Sequence, residues 1–236
     1  MKDGMLTGPA AMPAETGGVA AAASRSLASR RRWVEGPIAW AVARHPRLEP
    51  SSAAAAASRA TTGSPRPAGA GDPAGAGSSA ASLGSVLLAR SARGVCAILL
   101  GEDKALLAAE LAGHFPDALL QEDAASLAGP LADWWAFLDT PAQGFHHPLD
   151  GGGTPLQQQV WEALRAIPVG ATLTYSDLAA RVGRPRAVRA VASACAANRL
   201  AVVIPCHRVI GRSGSLTGYR WGIDRKRSLL EMEARG

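Results

Sequence analysis

The sequence predicts a two-part α/β protein in which a small sheet with helices precedes a mainly helical region. Two short apolar runs, Val86 to Ala89 and Val95 to Leu100, flank the turn Ser91-Ala92-Arg93-Gly94 and are typical of a β-hairpin. After Gly153, amphipathic segments with cap signals at their starts predict three consecutive helices. The chain of 236 residues is long enough for one or two domains with a real core.

Residues 1–82 are expected to be a disordered or low-complexity tail and linker. Between Ser51 and Ser82, 27 of 32 residues are Ser, Ala, Gly or Pro, and none has a large apolar side chain. Such a segment cannot bury enough surface to offset its chain entropy. The stretch before it holds three consecutive arginines and two tryptophans without a sustained period, and it is assigned no function.

Composition narrows the class of protein. Hydrophobic residues make up 47% of the chain but aromatic residues only 5%, because much of the apolar content is alanine. The three cysteines are too few and too far apart for a disulfide scaffold or a four-cysteine zinc site, which indicates a reducing compartment. No apolar run reaches the ~18–20 residues that span a bilayer, and no secretory signal is recognisable. We therefore expect a cytoplasmic protein with no metal and no cofactor.

Charge is distributed unevenly along the chain. Residues 83–152 carry three basic and nine acidic side chains, whereas residues 153–236 carry thirteen basic and five acidic ones. The basic surplus of the last third is either ordinary surface or a segment that binds a polyanion through arginine.

Residues 83–152 are predicted to form an N-terminal α/β subdomain. Besides the hairpin, helical spacing predicts helices over Lys104 to Ala112 and Leu127 to Leu138. Gly144 to Gly153 then forms a Gly- and Pro-containing connection. The apolar faces consist of Leu106, Leu107 and Leu111 in the first helix and Leu131, Trp134, Trp135 and Leu138 in the second.

Residues 153–236 contain a helix-turn-helix pattern. Thr154-Pro155 is an N-cap followed by a proline at the first helical position. A second helix opens at Thr174, whose spacing to Asp177 is that of a capping box, and stops at Gly183. A third helix runs from Arg184 to about Ala197, so that two short helices are joined by a tight turn. The first helix has the apolar stripe Leu156, Val160, Trp161 and Leu164.

The third helix has two different faces. Apolar residues at helical spacing should face the core, whereas arginines among very small side chains line the other side. Such a face lets a backbone approach closely, which suits a nucleic-acid groove better than an ordinary solvated face. The core face comprises Val188, Val191, Ala192 and Cys195, and the other comprises Arg186, Arg189, Ala190, Ser193 and Ala197.

Cys206 differs from the other cysteines in its surroundings. The apolar run 201–204 predicts a buried strand that delivers this thiol to a turn beside His207 and a guanidinium. Only the thiolate is a nucleophile, and these neighbours are expected to lower the thiol pKa from about 8.5 into a reactive range. Cys96, in a predicted strand, and Cys195, on an apolar helix face, are expected to be packing residues.

The sequence Pro205-Cys206-His207-Arg208-Val209 resembles the signature of the O6-alkylguanine-DNA alkyltransferases, with Asn198 before it and Gly218-Tyr219-Arg220-Trp221-Gly222 after it. The similarity covers about residues 83–236 and is greatest to the C-terminal half of the bacterial adaptive-response members. This resemblance implies a ribonuclease H-like subdomain over 83–152 and a winged-helix-like alkyltransferase domain over 153–236. It also implies a single, irreversible transfer of an alkyl group from guanine O6, and from thymine O4, in DNA to Cys206.

The resemblance implies roles for four catalytic residues. Cys206 matches the alkyl acceptor, and His207 matches the imidazole that takes its proton through a water. Glu233 matches the carboxylate that orients this histidine, although Glu231 lies two residues away and could be mistaken for it. Asn198 matches the asparagine that braces the turn leading to the cysteine. The group follows the logic of a nucleophile, a base and a residue that fixes the base.

Residues for DNA binding and base flipping are implied in the same way. Chemistry on a base inside a duplex requires the nucleotide to be extruded. Arg189 matches the arginine that fills the space left in the stack, and Tyr175 matches the tyrosine that crowds the 3′ phosphate and contacts the flipped base. The protein would bind the minor groove of double-stranded DNA as a monomer. Further DNA contacts are assigned to Arg186 and Ser193, and the substrate pocket to Val209, Tyr219 and Arg220.

The sequence departs from the family pattern at several places. Leu156 stands where phenylalanine is usual, Ala192 where glycine is common, and Arg199-Leu200 where proline is frequent. Residues 1–95 contain no cysteine. The zinc domain and activator domain of the adaptive-response members, with phosphotriester repair and transcriptional activation, are therefore not carried over.

Four alternatives to an alkyltransferase stay open on the sequence alone. They are a non-catalytic protein that binds alkylated bases, a helix-turn-helix regulator, a cysteine hydrolase and an inactive gene product. The presence of Cys206 argues against the first, and the second leaves the Pro-Cys-His-Arg turn unexplained.

Overall fold

The computed structural model of the protein describes residues 36–44 and 83–235. It has the mixed α/β architecture that the sequence predicts, and no helix within these residues is both long and apolar enough to cross a membrane. The strands are β1 (Ile38–Arg44), β2 (Ser85–Ser91), β3 (Gly94–Gly101), β4 (Leu120–Glu122), β5 (Leu173–Thr174) and β6 (Val209–Ile210). The helices are α1 (Lys104–His114), α2 (Ala124–Asp139), α3 (Pro155–Arg165), α4 (Tyr175–Arg181), α5 (Val188–Ala196) and α6 (Ile223–Glu233).

The larger sheet has the strand order β3-β2-β1-β4. The hairpin of β2 and β3 confirms the predicted pair of apolar strands. Gly94 at its turn has φ +150°, and a Cβ there would lie 2.3 Å from the carbonyl oxygen of Pro148. This close approach lets the backbone amide of Val95 donate to the same oxygen at 2.8 Å, which joins the hairpin to the connection before α3.

Strand β1 corrects the prediction that all of residues 1–82 form a tail and linker. Ile38–Arg44 lies between β2, with which it pairs antiparallel, and β4, with which it pairs parallel. Ile38 and Ala41 are fully buried in the core. The sequence does not predict this strand, because its apolar run is short and lies far along the chain from the other apolar segments. In the fold, the two neighbouring strands supply its hydrogen-bond partners. The rest of the predicted tail and linker, 1–35 and 45–82, lies outside the described residues.

Helices α1 and α2 cover the sheet. α1 packs against β2 and β3, and α2 against β1 and β2. Leu107 and Leu111 are buried as predicted, but Leu106 is 72% exposed because it precedes Leu107 by about 100° around the helix. α2 begins three residues earlier than predicted, since the carboxylate of Asp123 accepts from the amide of Ser126 and caps the helix.

The helical part confirms the N-cap predicted at Thr154 and the capping box predicted at Thr174. Thr154 and Gln157 cap α3 reciprocally, and Thr174 and Asp177 do the same for α4. The indole of Trp161 donates to the carbonyl of Ala194 at 2.9 Å and ties α3 to α5.

Helix α5 is shorter than predicted but has the predicted faces. It begins at Val188 because residues 184–187 form a turn closed by the amide of Ala187 on the carbonyl of Arg184 at 2.9 Å. Val191 and Cys195 are buried, together with Ala194. Val188, Ala192 and Ala197 are half-buried, whereas Arg186, Arg189, Ala190 and Ser193 are exposed.

The apolar run before Cys206 is buried but is not the predicted strand. Only Leu200 makes a bridge to a strand, at Ile98 of β3. The chain then turns, since the amide of Val203 donates to the carbonyl of Ala201 at 2.8 Å across Val202, whose φ is +68°. A left-handed valine is costly and persists only where its surroundings enforce it. The prediction of a strand is therefore wrong, because a consecutive apolar run does not distinguish a strand from buried turns.

Candidate active site

Cys206 begins a short 3-10 helix, Cys206–Arg208, at the end of these turns. Its side chain is buried, and the amide nitrogen Nδ2 of Asn198 donates to Sγ at 3.3 Å. Nδ2 also donates to the carbonyl of Ile204 at 2.8 Å, while Oδ1 accepts from the amide of Leu200 at 2.8 Å. Asn198 is buried as well, and its side chain joins the segment that follows α5 to the thiol of Cys206.

The pKa of Cys206 is raised, which corrects the expectation that basic neighbours lower it. Burial raises the pKa, and the hydrogen bond from Asn198 and the charge of Lys226 oppose this only in part. The thiol is therefore protonated at neutral pH and needs a base before it can attack. Burial also raises the pKa of Cys96 and of Cys195 to about 12 each, in line with packing roles.

His207 and Glu233 form a buried pair. Nε2 of His207 lies 2.8 Å from Oε1 of Glu233, and the imidazole is fully buried. Glu233 stays ionised, because hydrogen bonds from His207 and Arg208 and the charge of Arg208 outweigh the effect of its burial and lower its pKa to about 2. Glu231 is exposed and pairs with Arg235, so the structure selects Glu233 over Glu231 as the partner of His207.

The pairing settles which nitrogen of His207 is basic. An ionised carboxylate only accepts, so Nε2 carries the proton and Nδ1 carries the lone pair. Nδ1 is buried and has no hydrogen-bond partner among the described residues. Burial also lowers the pKa of His207, with Glu233 opposing, so the imidazole is neutral at pH 7. The site thus holds a protonated thiol beside a histidine able to accept a proton at Nδ1.

Arg208 holds the carboxylate in place, a role that sequence reasoning missed. Its guanidinium donates from Nε and Nη2 to Glu233 at 2.8–3.1 Å and from Nη1 to the carbonyl of Ile167. Such a planar fork matches a carboxylate geometrically. The position of Arg208 next to His207 indicated a cation near the thiol. Nothing in the motif showed that this cation pairs with Glu233, 25 positions away.

Lys226 is a second missed residue. It is fully buried, and Nζ donates to the carbonyls of Val209 at 2.6 Å and Thr217 at 2.9 Å. It thereby joins β6 to the loop that returns to α6. A signal was present, because Lys226, Leu229 and Glu233 share the buried face of α6 and two of the three are charged.

Val209, Tyr219 and Arg220 are the residues predicted to line the substrate pocket. Val209 pairs with Leu173 in the β5–β6 ladder. The ring of Tyr219 meets His207 edge to face with centroids 6.4 Å apart, and its hydroxyl is buried without a partner among the described residues. Arg220 reaches α1, where Nε donates to Glu110 at 3.0 Å.

The predicted DNA-contact residues lie on α4 and on and before α5. The hydroxyl of Tyr175 donates to the carbonyls of Thr217 and Gly218 at 3.4 and 3.3 Å, so it borders the loop 211–222 between β6 and α6, which we call the pocket loop. Arg186, Arg189 and Ser193 are exposed, and the hydroxyl of Ser193 donates to the carbonyl of Arg189 at 3.1 Å. Within the described residues, no three His, Cys, Asp or Glu side chains are grouped so that they could hold a metal ion.

Fold and site together define a class of mixed α/β proteins that hold a buried cysteine beside a histidine–glutamate pair. The family model "6-O-methylguanine DNA methyltransferase, DNA binding domain" matches residues 155–235. The inducible methylated-DNA–protein-cysteine methyltransferase of Bacillus subtilis is 45% identical over 122 residues, which cover 52% of this chain and 68% of that protein. The chain belongs to the O6-methylguanine-DNA methyltransferase family, which confirms the resemblance carried by the Pro-Cys-His-Arg-Val motif.

Two further relatives extend the comparison. The bifunctional transcriptional activator and DNA repair enzyme Ada of Escherichia coli is 51% identical over 159 residues, covering 64% of this chain and 43% of Ada. The chain therefore spans less than half the length of that relative. The crystal structure of Mycobacterium tuberculosis OGT in complex with DNA superimposes with a TM-score of 0.55 at 36% identity, covering 65% of this chain and 88% of that one.

Proposed function

We propose that the protein repairs DNA directly by transferring an alkyl group from O6-alkylguanine, and from O4-alkylthymine, to Cys206. The observation that carries this proposal is the buried thiol hydrogen-bonded to Asn198 beside a His207–Glu233 pair with a basic Nδ1. The names of the relatives support it, since they include a methylated-DNA–protein-cysteine methyltransferase and a DNA repair enzyme. The enzyme class would be a methylated-DNA–protein-cysteine S-methyltransferase.

The proposed reaction is a displacement at the alkyl carbon. His207 accepts the thiol proton at Nδ1 through a water, and the resulting imidazolium is stabilised by the ionised Glu233. The sulfur of Cys206 forms a bond to the alkyl carbon as the bond from that carbon to O6 breaks. Guanine leaves with the electron pair of that bond and takes up a proton. Burial raises the pKa of the Tyr175 hydroxyl to about 12, so this group stays protonated and suits a hydrogen-bond donor to the base.

The product explains why each molecule would act once. Water does not cleave the carbon–sulfur bond of a thioether under these conditions, because the thiolate is a poor leaving group, and the proposed reaction has no step that restores the thiol. The proposed reaction is therefore stoichiometric and uses neither a metal nor a cofactor.

Double-stranded DNA is the proposed partner. The M. tuberculosis OGT structure is that of a complex with DNA, which supports the same kind of partner here. In this protein the exposed face of α5 offers Arg189 between small residues, with Arg186 in the turn before it. We assign Arg189 to the space left by the extruded base and Arg186 and Ser193 to the backbone of the minor groove. Val209, Tyr219 and Arg220 would line the pocket for the flipped base.

Finer features of the fold belong to the same proposal. The N-terminal subdomain is ribonuclease H-like and covers 83–152 together with β1, and the alkyltransferase domain is winged-helix-like and covers 153–236. We also propose a monomer that works in the cytoplasm. The bacterial repair relatives support that location.

Intact-protein and peptide mass spectrometry test the proposal. After incubation with excess duplex DNA that contains O6-methylguanine, the peptide with Cys206 should gain one methyl group, about 14 Da, per molecule and no more. Cys206→Ala should abolish the gain while DNA binding persists, and Cys195→Ala is the matched control that should still accept the methyl group. Several turnovers per molecule, or methyl transfer in Cys206→Ala, would contradict the assignment.

A further inference from the structure

Arg220 joins the pocket loop to the N-terminal subdomain. The side chain is 28% exposed, and its guanidinium makes three contacts outside its own loop. Nε donates to Oε1 of Glu110 at 3.0 Å, Nη2 donates to Nε2 of His114 at 2.8 Å, and Nη1 donates to the carbonyl of Ala196 at 3.2 Å. Glu110 and His114 lie one turn apart on α1, so both present themselves to the same guanidinium. Arg220 is thus held by α1 and by the last residue of α5.

The contact with His114 fixes that imidazole in one tautomer. A guanidinium has only donors, so Nε2 of His114 accepts and Nδ1 carries the proton. Oε1 of Glu110 lies 3.5 Å from the same Nε2 and takes its hydrogen bond from Arg220 instead. In the hydrogen bonds among these three side chains, Arg220 is therefore always the donor.

The neighbours of Arg220 in sequence contact residues that take part in the proposed chemistry. Tyr219 packs on His207, and Gly218 supplies a carbonyl to Tyr175. Within the loop few backbone bonds hold this stretch, among them the amide of Gly222 on the carbonyl of Tyr219 at 3.1 Å. The conformation of this part of the loop therefore depends on two side chains. Lys226 donates to the carbonyl of Thr217, and Arg220 donates to Glu110.

We propose that Glu110 and His114 of the N-terminal subdomain are positioning residues for the substrate pocket, which they hold in its binding geometry through Arg220. The inference rests on the proposed function, because it assigns the pocket to the loop that contains Tyr219. It gives the N-terminal subdomain a task in binding the alkylated base beyond supporting the fold. Since the set is partly exposed, each contact should change affinity about three- to fivefold and should not change folding.

Hydrogen exchange tests this latch, the contacts of Arg220 with Glu110 and His114, without any substrate. Arg220→Ala and Glu110→Ala should each speed amide exchange in peptides that cover 211–222 by about three- to fivefold, and the double variant should add little more because the two residues share one contact. Lys104→Ala is the matched control, since its ion pair with Glu122 also starts on α1 but does not reach the pocket loop. Unchanged exchange in both single variants, or an equal change in Lys104→Ala, would overturn the latch.

Kinetics test whether the latch positions the pocket. Transfer from the free base O6-benzylguanine is measured over a range of concentrations, which separates the half-saturating concentration from the maximal rate. Glu110→Ala and His114→Ala should each raise the half-saturating concentration about three- to fivefold and leave the maximal rate within about twofold. Faster exchange with unchanged half-saturation would overturn the positioning role. If the wild-type protein forms no thioether at Cys206, the proposed function fails, while the exchange result still decides the latch.

Discussion

Glu233 accepts hydrogen bonds from two residues that are adjacent in the chain, His207 at 2.8 Å and Arg208 at 2.8–3.1 Å. All three side chains are buried, and the carboxylate joins α6 to the short 3-10 helix Cys206–Arg208. The single carboxylate of Glu233 both orients His207 and neutralises Arg208. Changes at Arg208 should therefore reach the chemistry through Glu233.

Arg208→Lys should impair both stability and transfer although it keeps the charge. A lysine cannot reproduce the fork to Glu233 and the bond to the carbonyl of Ile167, so the free energy of unfolding should fall by about 2 kcal/mol. The transfer rate should fall about tenfold because Glu233 no longer holds His207 in one orientation. Urea unfolding and single-turnover transfer measure the two effects. Arg212→Lys, at an exposed position, is the control; equal behaviour of the two variants would refute this role.

Acid should destabilise the protein through Glu233 in a defined pH range. The folded pKa of about 2 is below the ordinary value of 4.5, so the contribution is complete above pH 4.5 and is lost as the pH falls toward 2. Its size is on the order of 2–3 kcal/mol. His207, whose pKa is also lowered in the fold, adds a loss that begins near its ordinary pKa of 6.5. Glu233→Gln should flatten the dependence of unfolding free energy on pH below 4.5.

Glu231→Gln provides the matched control for that measurement. Glu231 is two residues away on the same helix but is exposed, so its removal should leave the acid slope unchanged. A Glu233→Gln protein that keeps the full wild-type slope between pH 4.5 and 2 would show that another group is responsible.

Strand β1 divides the N-terminal 82 residues into parts with different importance. Arg44 of β1 pairs with Ser85 of β2, so a short connection could replace residues 45–82. A chain in which a short Gly/Ser linker replaces 45–82 should unfold within a few degrees of the full chain. A chain that starts at Leu83 loses an inner strand and should melt more than about 10 °C lower or lose its cooperative transition. Scanning calorimetry compares the three proteins, and equal melting temperatures would mean that β1 contributes nothing.

The features predicted from sequence are those whose contacts are close along the chain. The N-cap at Thr154 and the capping box at Thr174 involve residues at most three positions apart, so the local sequence specifies them. The family resemblance was predicted because Cys206 and His207 are adjacent in a specific motif. Arg208 and Glu233 are 25 residues apart, and Arg220 and Glu110 are 110 apart, so only the fold brings them together. The raised pKa of Cys206 was missed for the same reason, since burial depends on distant residues.

Arg189 provides the test that separates base flipping from DNA binding. The residue is exposed on α5 and is proposed to act after encounter by filling the space that the extruded base leaves, whereas Arg184 and Arg186 precede the helix and would neutralise phosphate. Arg189→Ala should therefore slow transfer from duplex DNA about a hundredfold while transfer from free O6-benzylguanine, which needs no extrusion, changes less than about twofold. Arg186→Ala should instead weaken duplex binding in a salt-dependent way, lowering the slope of log affinity against log salt by about one, and leave the free-base reaction intact. Both are measured by single-turnover kinetics and by binding titrations at several salt concentrations. If Arg189→Ala slows both substrates equally, the side chain supports the pocket or the fold, and its assignment to the DNA stack is wrong.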